Sequence, residues 1–306
     1  MTRVLISPAS PPTRPAGATP RISGPRHGAA LTRPVPLTDP QLRLVVLHHA
    51  GGSHVPFRRW ARLLPAGWEA CLVDAPGRGS AADRPPVRTM DELVAAVIEV
   101  LAPLADRPFV LFGHSMGALV GLAVAAELTA AGDRLPTWLG VSAHPGPSPA
   151  RDRPAGLHLL DGPGLRAALH DLGGLPRPLR YDDDLWAQVE PLVRADLEVV
   201  ERWRPAPVPA LPVPLSAFGG LADPVAPAAG LHRWAARSER FQGVLAYPGD
   251  HFYFRSSPAP LIAGIEAEVL RASAGGPGPD LTSNCRSTRN RRPPRRHPLP
   301  VVGAPR

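Results

Sequence analysis

Short apolar runs alternate with longer apolar-periodic segments along most of this chain. Leu42 to Leu47, Glu69 to Val73, Phe109 to Phe112, Trp138 to Ala143, Val213 to Phe218 and Phe241 to Tyr247 read as strands. Between them, Val55 to Leu64, Met90 to Leu104, Met116 to Ala131 and Val225 to Ala236 carry apolar positions at helical spacing, and Ala259 to Ala272 closes the series. Asp91 and Glu92 suit the first turn of the second helix. Strand-helix alternation over this length predicts an α/β fold, a mostly parallel sheet with helices on both faces.

The alternation lapses between about 145 and 207. Two helical pieces stand there, Gly164 to Leu172 and Asp184 to Trp203, separated by Gly173-Gly174 and several prolines. Trp186, Val189, Leu192, Val193, Leu197 and Val200 form a broad apolar stripe on the second. Such a stripe suits core-facing helices as well as a helical lid. Insertion between two sheet strands favours the lid.

The two ends differ from the body. Residues 1 to 38 are rich in proline and have no acid, and residues 276 to 306 are rich in arginine. Both are expected to be disordered, which leaves a single domain over about 40–273 and predicts that this span suffices for the fold. The ends carry net charges of +5 and +6, so the formal +8 of the whole chain leaves about −3 on the body. All 34 basic residues are arginine. The basicity therefore belongs to the ends, and no nucleic-acid partner is expected.

Cys71 lies in an apolar strand and Cys285 in the basic end, so no structural disulfide is expected. There is no signal-peptide pattern, and Met116 to Ala126 falls short of the ~18 residues of a membrane span. A cytoplasmic protein without membrane contact is expected.

Chemistry concentrates at Gly113-His114-Ser115-Met116-Gly117, a Gly-x-Ser-x-Gly sequence with a strand before it and a helix after it. That context is the nucleophile elbow, in which a strained turn presents a serine hydroxyl beside a helix N-terminus. A serine hydroxyl needs an imidazole to take its proton, and the imidazole needs a carboxylate to orient it. Asp223 and His251 each follow a predicted strand, and the order Ser115, Asp223, His251 is that of α/β-hydrolase triads. Read alone, Asp223 before Pro224 is equally a helix cap, and His251 a loop histidine. Asp250 is a rival acid, though it adjoins the histidine it would have to orient. The remaining histidines show no ligand spacing, so neither metal nor cofactor is expected.

Taken together, His49-Ala50-Gly51-Gly52-Ser53, Phe57-x-x-Trp60, Pro76-Gly77-Arg78, the Ser115 elbow, Leu192-Val193-Arg194-Ala195-Asp196-Leu197, Gly219-Gly220-x-Ala222-Asp223-Pro224 and Gly249-Asp250-His251-Phe252 resemble the type II thioesterases that accompany non-ribosomal peptide and polyketide synthases. The resemblance spans roughly Leu44 to Phe254. It implies an α/β-hydrolase fold and hydrolysis of acyl thioesters from the phosphopantetheine arms of acyl or peptidyl carrier proteins. It also implies that the N–H groups of Ala50 and Met116 form the oxyanion hole. A small-molecule carboxylesterase with the same triad, or a non-catalytic hydrolase-fold binding partner, are the alternatives.

Overall fold

A computed structural model describes residues 28–147, 156–175, 177–205 and 209–275. Among the described residues seven strands form one sheet, in the spatial order β1-β3-β2-β4-β5-β6-β7. They are β1 (Ala30–Thr32), β2 (Leu42–Leu47), β3 (Trp68–Asp74), β4 (Phe109–His114), β5 (Leu139–Ser142), β6 (Leu215–Gly220) and β7 (Phe241–Tyr247). All neighbours pair in parallel except β1, which runs antiparallel to β3.

The sheet is buried on both faces because successive side chains of each strand feed opposite layers. Val45 and Leu47 of β2 and Leu111 of β4 pack against helices α1 (Met90–Leu101) and α2 (Met116–Ala131). Leu44 and Val46 of β2 and Val110 and Phe112 of β4 face the other way. They meet Phe57 and Trp60 of a 3-10 helix (Val55–Arg62) and Ile262 and Ile265 of the closing helix, Ala259–Ala274. Thr89 caps α1 in a capping box: the Glu92 N–H donates to Thr89 Oγ1 at 3.3 Å, and the Thr89 N–H donates back to the Glu92 carboxylate at 3.2 Å.

Strand order places the chemistry. From β2 the chain moves outward to β3, then returns to lay β4 on the other side of β2. The reversal leaves a crevice beyond the carboxyl ends of β2 and β4, where open α/β sheets bind ligands. Leu47 and Gly113 are in register there, so the loop that begins at His48 and the turn at Ser115 leave the sheet side by side.

Among the described residues between β5 and β6 lie three α-helices: α3 (Gly162–Asp171), α4 (Arg177–Tyr181) and α5 (Asp183–Arg202). Asp161 caps α3 by accepting from Gly164 N–H at 2.8 Å, and Asp182 caps α5 by accepting from Leu185 N–H at 2.8 Å. Leu165, Leu175, Trp186, Val193 and Leu197 give them a small apolar core separate from the two layers of the sheet. The closing helix is therefore α6 (Ala259–Ala274).

Two expectations need correction. Residues 28–38 are ordered rather than part of a disordered end: Ala30–Thr32 pair with Leu72–Asp74, and the Leu37 N–H donates to Glu69 Oε1 at 2.9 Å. The segment expected as a helix over Val225 to Ala236 is a 3-10 helix starting later, at Ala228, because Asp223 holds the backbone of Val225 and Ala226 in a turn. The expectations for residues 1–27 and 276–306, and for Cys285, lie outside the described residues.

Candidate active site

Ser115 occupies the turn between β4 and α2 with φ 55° and ψ −113°, a conformation that costs free energy for any residue with a Cβ. The two glycines make it attainable. A Cβ on Gly113 would stand 2.0 Å from the Gly117 carbonyl oxygen, so no other residue allows strand and helix to close this tightly. The result is a half-buried serine at the head of α2, with Met116 as the first helical residue. The N–H at that position has no carbonyl one turn back to bind.

Asp223 and His251 come together from the ends of β6 and β7. Gly220 and Tyr247 are in register, and the loop after β7 folds back over β6: Leu221 N–H donates to Tyr247 O at 2.8 Å and Ala222 N–H to Gly249 O at 2.9 Å. Gly220 permits this approach, since a Cβ there would meet the Asp250 carbonyl oxygen at 2.2 Å. His251 Nδ1 then lies 2.9 Å from Asp223 Oδ2. The other carboxylate oxygen accepts from Val225 N–H at 2.8 Å and Ala226 N–H at 3.0 Å. Burial alone would raise the Asp223 pKa, but His251 and these two backbone donors outweigh it and hold the carboxyl below its ordinary range. Asp223 caps no helix, since the helix after it begins at Ala228; one carboxylate oxygen closes the turn at Val225 and Ala226, and the other pairs with His251. The rival, Asp250, accepts from Phe252 N–H at 2.8 Å within its own loop.

A second polar thread fixes the loop from behind. His114 Nδ1 lies 2.8 Å from Ser142 Oγ, which lies 2.7 Å from Tyr253 Oη. His114, buried, is held neutral with its pKa well below the usual histidine value, first by burial and then by the neighbouring His251. The Tyr253 phenol is pushed up by the same burial. His114 and His251 rings are 5.2 Å apart, so the thread places the imidazole beside the elbow.

Ser115, His251, Ala50 and Met116 line one cavity of about 740 Å³; Asp223 sits behind His251, almost fully buried. The cavity walls are mostly apolar, and Leu169, Leu172, Val189, Val193 and Leu197 from the cap helices form its roof. In the Ala50–Gly52 turn, Gly51 N–H donates to Asp196 Oδ2 at 2.7 Å and Gly52 N–H to His49 O at 2.9 Å, while Ala50 borders the cavity. Asp196 was not singled out as a functional residue from the sequence. The available signal was its position: three residues after Val193 and four after Leu192, a charge within the apolar stripe of α5.

A mostly parallel sheet with its serine on a strained strand-to-helix turn, answered by an acid and a histidine from later strands, is an α/β-hydrolase fold. Residues 42–268 match the thioesterase domain family, and the chain belongs to that family. It is 30% identical over 223 residues to the gramicidin S biosynthesis protein GrsT of Aneurinibacillus migulanus, covering 72% of this chain and 86% of that one. To thioesterase PikA5 of Streptomyces venezuelae it is 33% identical over 219 residues, covering 71% and 77%. Among solved structures, the RedJ thioesterase of the prodiginine pathway in Streptomyces coelicolor superposes with a TM-score of 0.69 at 34% identity, covering 75% of this chain and 86% of that one. The protein is a thioesterase.

Proposed function

We propose that the enzyme removes acyl groups from the phosphopantetheine arms of carrier proteins in a peptide or polyketide synthase. The observation that carries this reading is that Ser115 and His251, the latter paired with Asp223, open onto one apolar cavity large enough for an acyl chain. GrsT, PikA5 and RedJ are named for biosynthetic systems, which supports placing the acyl donor on a synthase carrier.

In this reading Ser115 Oγ attacks the thioester carbonyl carbon as its proton passes to His251 Nε2. Asp223 keeps the Nδ1 proton in place and stabilises the imidazolium. Negative charge develops on the carbonyl oxygen and is met by the N–H groups of Ala50 and Met116. The C–S bond breaks, His251 returns its proton to the departing thiolate, and the arm leaves as a thiol. Water, deprotonated by His251, then attacks the acyl-serine carbonyl; the C–Oγ bond breaks, His251 returns the proton to Ser115 Oγ, and the carboxylic acid is released. No metal or cofactor takes part. The reading places the enzyme in the cytoplasm beside its synthase; no described helix is long and apolar enough to cross a membrane.

The test is turnover of an acyl thioester on a carrier protein against the matched oxygen ester, with Ser115→Ala as control. Preference for the thioester, lost by a factor on the order of 10⁴ to 10⁶ in Ser115→Ala, is expected. Equal or better use of the oxygen ester would favour a carboxylesterase.

A further inference from the structure

Two of the stretches that resemble the family, Pro76-Gly77-Arg78 and Leu192 to Leu197, contribute no member of the triad, yet they meet in a buried ion pair. Arg78 and Asp196, 118 positions apart, are each almost fully enclosed. The Arg78 guanidinium grips the carboxylate with two nitrogens: Nη2 lies 2.8 Å from Oδ1, and Nη1 bonds to Oδ2. Arg78 Nη2 also donates to Pro76 O at 3.2 Å, which anchors it in the loop after β3. Such a forked pair fixes orientation as well as charge.

Asp196 Oδ2 has a second task. It accepts the Gly51 N–H at 2.7 Å, the peptide next to Ala50. The same face of α5 presses on this turn. Gly51 has φ +69°, and the Val193 side chain stands where a Cβ on Gly51 would lie, 2.7 Å away. Ala50 itself packs against the apolar core of the cap. The Ala50–Gly51 turn is therefore clamped between the sheet and α5. The carboxylate from the helix fixes the peptide plane from one side, and the forked guanidinium holds that carboxylate in place.

We propose that Asp196 is a positioning residue for the reaction: by holding the Gly51 N–H it sets the direction of the adjoining Ala50 N–H toward the thioester oxygen, so that the oxyanion hole is complete only while α5 is seated. This rests on the assignment of Ala50 as an oxyanion donor. A bond made to the neighbouring peptide influences only the step in which charge develops, because the ground-state carbonyl needs little from that donor. Cap and catalytic centre are thus joined by one carboxylate, at a point remote from the surfaces that select the acyl chain.

The experiment compares wild type, Asp196→Asn and Asp196→Ala on an acyl-N-acetylcysteamine thioester. It also compares their affinities for two inhibitors with the same acyl chain. One is a trifluoromethyl ketone, which adds to Ser115 and places an oxyanion in the hole. The other is an alkyl thioether, which fills the cavity and has no carbonyl. Asp196→Ala is expected to lower kcat about 10- to 100-fold with KM changed less than about threefold. Ketone affinity should fall in the same proportion, with thioether affinity unchanged. Asp196→Asn keeps an acceptor for Gly51 and should recover part of the loss. If the alanine variant does not fold, the near-isosteric asparagine variant decides by the same readouts. Unchanged ketone affinity, or equal losses for ketone and thioether, overturns the proposal and leaves Asp196 as packing of the cap. Failure of the wild-type enzyme to form the Ser115–ketone adduct would instead bring down the serine mechanism, whatever Asp196 does.

Discussion

Gly117 and Leu47 meet where the first turn of α2 crosses the end of β2, and a Cβ at 117 would stand 2.3 Å from the Leu47 carbonyl oxygen. The contact is backbone on backbone, so no rotamer change can relieve it. Gly117→Ala must push α2 or the end of β2 aside, and the His48–Ala50 loop moves with the latter. Overpacking of this kind costs about 1–3 kcal/mol. A 1 Å displacement of a catalytic group costs roughly 10²-fold in rate. The variant should melt lower, and its kcat should fall further than its loss of folded protein explains. Equal activity per folded molecule would show that the elbow tolerates the shift.

The roof of the cavity predicts selectivity without chemistry. Leu172, at the carboxyl end of α3, borders the cavity from the side opposite the sheet. Leu172→Ala should change the ratio of kcat/KM for long and short acyl thioesters by roughly 10-fold or more, since a methylene in an apolar pocket is worth about 1–3 kcal/mol. Asp223→Asn is the contrasting variant. It removes the partner of His251 Nδ1 and should depress every substrate alike, by about 10⁴. An unchanged chain-length profile in a folded Leu172→Ala protein would remove that residue from the acyl pocket.

Acid should unfold the protein through its buried histidines. His48 accepts the Ala75 N–H on Nε2 at 3.1 Å and donates from Nδ1 to His49 O at 2.8 Å, an arrangement only the neutral ring can make. Burial first, and then the nearby Arg78 cation, lower its pKa to about 4. His49 and His114 are lowered in the same direction, chiefly by burial. Between pH 4 and 6.5 the unfolded chain therefore binds more protons than the folded one. Stability is fully present above about pH 6.5 and is lost as pH falls toward 4. His48 alone contributes on the order of 3 kcal/mol across that window. Thermal melts should show Tm falling by roughly 10 °C from pH 7 to pH 5. A flat Tm over that range would mean that these rings titrate in the folded protein.

Strands buried on both faces were legible in the sequence because nearly every position in them is apolar, as in Phe109–Phe112 and Leu42–Leu47. Ala30–Thr32 was not. It is three residues long, carries no alternation, and is held mainly by backbone pairing that leaves no trace in side-chain type. The order Ser115, Asp223, His251 was legible because a parallel sheet brings strand ends to one edge. The Arg78–Asp196 pair was not, since periodicity locates a residue on its own helix but not across 118 positions. The helical cap lay between these cases: its apolar stripe announced burial, while the surface it covers became visible only with Ser115 beneath it.

The short antiparallel strand has a consequence for how the protein behaves in solution. Without β1, the row of backbone donors and acceptors on Leu72–Asp74 would be the open border of an apolar sheet, a template for a second copy of the chain. Arg84, bonding the carbonyls of Gly28 and Ala29, and Glu69, bonding the Leu37 N–H, fasten the strand at both ends. A chain that starts at residue 28 keeps this border sealed, whereas one that starts at 40 does not. The longer version should run as a single species at all concentrations, and the shorter should form concentration-dependent oligomers by light scattering while retaining an intact Ser115 site. A dozen residues that take no part in lining the Ser115 cavity thus decide whether this border is free to pair.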